Sequence, residues 1–81
     1  MYGEEHYLSK IERNANVVGK APEHIRKKCI DNIKWARELS NRLHHLDYDQ
    51  RDIAINNIHK VLDTDYIDMG FELKQTENKK R

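Results

Sequence analysis

The densest gathering of side chains able to do chemistry in this 81-residue sequence is His44-His45-Leu46-Asp47-Tyr48-Asp49. Imidazoles beside carboxylates could ligate a metal. Helix-borne ligands, however, sit about four residues apart so that both point to one side, and no two of the five histidines have that spacing. His44 and His45 are neighbours and diverge by about a quarter turn on a helix. They read instead as a polar helix end, where imidazole complements the negative end of the backbone dipole. No metal and no cofactor is expected.

Nucleophilic catalysis requires a Ser, Cys or Thr beside a base, near oxyanion donors, usually on a turn. Ser9 and Ser40 both fall inside predicted helices, and Cys29 lies at the centre of an apolar helical stripe, where a small buried thiol is inert. Gly3, Gly19 and Gly70 are isolated, so no phosphate-cradling loop is present. A chain of this size has little room for an enclosed cleft. The expectation is a protein without catalytic machinery.

The elements that carry these residues follow from apolar spacing at roughly 100° per residue. Tyr7, Leu8, Ile11, Ala15 and Val18 share one third of a helical wheel, which predicts a first helix over 4–18. Gly19 then stands where a left-handed cap is wanted, and Pro22 can open the next helix at its first position, with Glu23 at the positive end of the dipole. Ile25, Cys29, Ile33, Ala36, Leu39, Ser40 and Leu43 form a stripe over 22–45, flanked on opposite sides by Ile30 and Trp35. So wide an arc suits a central helix with two neighbours. Asp47, three residues before Gln50, has the pattern of a capping box with Asp in place of the usual Ser or Thr, and starts a third helix over 47–63. Tyr48, Ile55, Ile58 and Leu62 share its face, with Ile53 pointing away. Asp65 would fall on the apolar side of a longer helix, so a break near 63–65 and a short turn over 65–69 ending at Gly70 are expected. Residues 74–81 offer nothing apolar to bury and read as a disordered basic tail following a single helical domain over 1–73. The fold class is all-α, a small three-helix bundle.

Composition agrees: 37% of residues are hydrophobic and 36% charged, with a mean hydropathy of -1.02. The net charge of +1 conceals segments of opposite sign. Residues 1–45 carry nine Lys or Arg against six acids; residues 46–72 carry two against seven; residues 73–81 carry four against one. Any electrostatic partner meets a segment, not the average. A lone cysteine forms no intrachain disulfide, which suits a reducing cytoplasm. The polar, acidic start gives no export signal, and no apolar run nears the ~18 residues of a membrane span. Abundant Ile, Lys and Asn suggest AT-rich coding, as in many bacteria and phages.

These features predict a small protein-binding module, an adaptor, inhibitor or modulator of a larger intracellular protein. Its contact candidates are Trp35 and Ile53 as apolar anchors with Tyr48, Asp49, Asp52, Arg37 and Arg42 around them. Tyr2, Tyr7, Tyr66 and Phe71 are further aromatic candidates. A homodimer is compatible with the same surface. The alternative is a DNA- or RNA-associated regulator using Lys27, Lys34 and Arg37 with Lys79, Lys80 and Arg81 as an arm. Against it, Glu23, Asp31 and Glu38 interrupt the basic face, and Asp47, Asp49 and Asp52 occupy the turn that a helix-turn-helix would insert into DNA. The interspersed acids also argue against a membrane-surface helix.

Overall fold

The computed structural model describes residues 4–73. Three helices follow in order, α1 (Glu4–Val17), α2 (Glu23–Arg42) and α3 (Tyr48–Asp68), joined through 3-10 turns at Val18–Lys20 and Leu43–His45. Each helix touches the other two. Of the described residues 87% are helical and none is in a strand, so the chain is a small all-α three-helix bundle. Its Cα trace is flat, 37 × 36 × 15 Å. The expected tail over 74–81 lies outside the described residues.

The first junction departs from expectation. Gly19 is not left-handed; among the described residues the only glycine with positive φ is Gly70. The chain instead leaves α1 through a 3-10 turn in which the Ala21 amide donates to the Val18 carbonyl at 3.1 Å. That bond pairs a carbonyl the helix end leaves free and needs no left-handed residue. Pro22 stands one position earlier than expected, as the N-cap with ψ 143°, and its carbonyl accepts from the Ile25 and Arg26 amides. At the second junction Asp47 caps α3 as its spacing predicts, its carboxylate accepting from the Gln50 amide at 2.8 Å.

The predicted break near 63–65 does not occur, because α3 runs on to Asp68. Asp65 does face inward, with its side chain 3% exposed, but α2 supplies its partners. Asn32 Nδ2 donates to its carboxylate at 2.7 Å, and Lys28 Nζ stands 3.5 Å away. A buried carboxylate is tolerated where groups opposite pair with it, so it need not end the helix. Gly70, at φ 100°, then closes the helix: the Phe71 amide donates to the Tyr66 carbonyl and the Gly70 amide to that of Ile67, the Schellman pattern.

Apolar burial divides into two clusters. The larger joins Tyr7 and Ile11 of α1, Ile33, Ala36 and nearby Leu43 at the α2 end, and Ala54, Ile55, Ile58 and Leu62 of α3. Ile58 and Leu62 are fully buried, each worth roughly 1.5–3 kcal/mol. The smaller centres on Ala21, Cys29 and Met69, with Val17, Val18, Ile25, Tyr66 and Phe71 partly buried around them. Val18 packs against both.

Candidate functional site

Polar and charged contacts cluster where the two apolar clusters adjoin. On the α1 side, fully buried Asn14 donates from Nδ2 to the Leu62 carbonyl at 2.9 Å and accepts from Arg13 Nε at 2.9 Å. Arg13 Nη2 reaches the same carbonyl and the Asp63 carboxylate, and its guanidinium lies 3.9 Å from the centre of the Tyr66 ring. Lys10 Nζ donates to Asp63 at 2.8 Å. On the α2 side, Lys28 bridges Asp65 and Asp68, the latter at 2.8 Å. The hydrogen bond to Asp68, with attraction to both carboxylates, raises the Lys28 pKa above 10.5 against a smaller opposing effect of burial. Burial pushes the Cys29 thiol above 9.0, helped by the Asp65 charge and opposed by Lys28. These charges act as clamps between helices.

Sequence spacing alone did not single out Asn14, Asn32 or Asp65 as an interior polar set. Asn14 lies seven residues after Tyr7 and four before Val18, on the apolar stripe of α1. His59 is likewise interior at 1% exposure, edge-on to Tyr7 with ring centroids 6.5 Å apart. A polar residue at a stripe position was the signal available; its partner on another helix was not.

The predicted contact residues separate. Trp35 is 37% exposed with the rest of its surface covered, a rim position. It stands seven residues after Lys28 and seven before Arg42, so all three share the edge of α2 that faces α3. Arg37 stands seven after Ile30 on the opposite edge. There it lines an open cleft of 410 Å³ between α1 and α2, together with Leu8, Ser9, Ile11, Glu12 and Ser40. Trp35 and Arg37 therefore serve different edges.

On α3, Tyr48 is 80% exposed and does not join the apolar face assigned to it from spacing. The buried stripe begins instead at Ala54 and Ile55. Ile53, 53% exposed, points outward as expected, on a line with Asp49, Lys60 and Ile67 at four-, seven- and fourteen-residue steps. Asp49 and Asp52 are exposed near the start of the helix. Tyr7 lies in the interior, and Tyr66 stacks on Phe71 in the smaller cluster at 5.0 Å, so these aromatic candidates serve the fold. Tyr2 lies outside the described residues.

The nucleic-acid set also divides. Lys27 pairs with Asp31 at 3.4 Å on an exposed face, and Lys34 and Arg37 are exposed along the same helix. Lys79, Lys80 and Arg81 lie outside the described residues. His44 and His45 are exposed with ring centroids 4.1 Å apart, and no group of three potential metal ligands occurs among the described residues. Two further open clefts flank the outer ridge of α3. One of 280 Å³ is lined by Lys28, Asn32, Lys60, Val61, Thr64 and Asp65; another of 520 Å³ is lined by Asn56, His59, Lys60, Asp63 and Thr64.

The chain matches no family model, no curated protein and no solved structure. No described helix is long and apolar enough to cross a membrane. The arrangement offers charged helix faces punctuated by single apolar side chains, Leu8, Ile30, Trp35, Ile53 and Ile67.

Proposed function

We propose that this chain is a non-catalytic protein-binding module, an adaptor, inhibitor or modulator of a larger protein in a bacterial or phage-infected cytoplasm. The observation that carries the reading is the rim position of Trp35, a large ring left 37% exposed at the edge of α2. A large amphipathic ring so placed supplies contact area at low conformational cost. Asp31, Glu38 and Arg42, within two turns of it, supply a polar surround. Ile53 and the exposed acids Asp49 and Asp52 offer a second contact area on α3. The short ionic contacts between helices hold the bundle together and leave these faces to a partner.

A tagged full chain, the Trp35→Ala variant and the Ile53→Ser variant test this in parallel. The parent is expected to recover a discrete protein that survives nuclease treatment, and Trp35→Ala to recover at least about ten-fold less while keeping its helical circular dichroism. Recovery of nucleic acid alone, lost as salt is raised, would overturn the reading. It would favour the alternative supported by exposed Lys34 and Arg37, a DNA- or RNA-associated regulator.

A further inference from the structure

The end of α3 is helical against its own electrostatics. Its last turn contains no basic residue, yet Asp63, Asp65 and Asp68 crowd the end where the backbone dipole is negative. An isolated helix would fray there. The compensating cations come from elsewhere: Lys10 and Arg13 of α1 hold Asp63, and Lys28 of α2 holds Asp65 and Asp68. Beyond this ionic set lies the smaller apolar cluster, in which Met69 is the one large side chain counted as buried. Before it lies the larger cluster, anchored by Ile58 and Leu62.

We propose that the C-terminal part of α3, from Asp63 through Phe71, detaches as a unit while the larger cluster stays folded, and that ionic strength sets how often it does so. Detachment separates Asp63, Asp65 and Asp68 from Lys10, Arg13 and Lys28. It uncovers Cys29, Ile25 and Val17, which share the smaller cluster with Met69, Tyr66 and Phe71. Every one of these ion pairs links α3 to another helix, so screening them weakens the docking of this segment without touching the Ile58 and Leu62 packing. Asp68 is the most accessible of the three carboxylates, its side chain 41% exposed, and salt reaches it directly. The molecule thereby has an apolar surface that is covered at low salt and offered more often at high salt.

Cys29, 0% exposed and the sole cysteine, reports the opening without any added probe site. The full chain is treated with neutral N-ethylmaleimide at fixed pH in about 20 mM and about 500 mM NaCl, labelling is followed by mass, and global stability is measured in urea under both conditions. Labelling is expected to run at least about ten-fold faster than global unfolding alone allows, and to accelerate about three- to ten-fold at the higher salt. Asp68→Asn should raise the low-salt rate and reduce the salt dependence to what the Asp63 and Asp65 pairs carry, whereas Asp49→Asn, near the other end of α3, should leave both unchanged. A rate equal to that of global unfolding, or a fast rate indifferent to salt, overturns the proposal. Amide exchange of the parent chain asks the same question if Asp68→Asn does not fold: the amides of 66–70 must exchange faster than those of 58–62, and increasingly so with salt.

Discussion

Replacing Asp65 by Asn keeps the side chain's shape and removes its charge, which isolates what the carboxylate does inside the bundle. The new amide can still accept from Asn32 Nδ2, the 2.7 Å contact, through its oxygen. A hydrogen bond to a charged acceptor contributes about 1.5–3 kcal/mol and one between neutral groups about 0.5–1.5, so the exchange costs about 1–2 kcal/mol. Loss of the attraction to Lys28 adds little, because that side chain is 48% exposed and keeps Asp68 at 2.8 Å. In a domain of this length the expected fall in melting temperature is about 5–15 °C. Asn32→Leu should cost more, about 2–4 kcal/mol, because it leaves a 3%-exposed carboxylate with only a 3.5 Å ammonium for company. Thermal and urea unfolding at pH 7 and low salt, followed by circular dichroism, measure both. An unchanged or raised melting temperature for Asp65→Asn would refute the reasoning, since the desolvation of the carboxylate would then outweigh what its partners return.

Two further outcomes follow from the same contacts. Stability should fall as pH rises above about 9: the folded chain keeps a proton on Cys29 that the unfolded chain surrenders from its ordinary value of 9.0, and the raised Lys28 pKa holds its contribution in full below 10.5 and loses it as pH passes the folded value. Urea midpoints between pH 7 and 11 read this, with Cys29→Ala expected to remove the earlier part of the decline; an unchanged onset in that variant would remove the thiol from the account. Gly70→Ala should cost about 1–2 kcal/mol by forcing an L residue to φ 100°, with no steric contribution because nothing lies within 4 Å of an added Cβ. A loss well beyond that range would show that the space is not open.

Helix faces were legible in the sequence because each apolar stripe is a local property of one segment. Ile33, Ala36 and Leu43, or Ile55, Ile58 and Leu62, are buried as their spacing requires. Asp47 was legible for the same reason, since a cap is satisfied within its own first turn. The continuation of α3 was not, because the groups that permit Asp65 to lie inward are Asn32 and Lys28, more than thirty residues away and unremarkable on the surface of α2 when that helix is read alone. Tyr48 failed in the opposite sense: its angular position matched the stripe, but it stands in the first turn of α3, ahead of the first buried apolar side chain of that helix, Ala54, and is left 80% exposed. The candidate contact surface shows both effects. Spacing placed Trp35 and Ile30 on opposite flanks of α2, and the bundle keeps them there. Which flank faces α1 and which faces α3 required the pairing of Lys28 with Asp68 and of Arg37 with the Leu8 cleft. A wheel assigns a residue to a face; only the neighbouring helix decides whether that face is a core, a clamp or a surface. The acids of α3 illustrate the consequence: Asp49 and Asp52 remain free to meet a partner, while Asp63, Asp65 and Asp68, similar in sequence, are already engaged by their own chain.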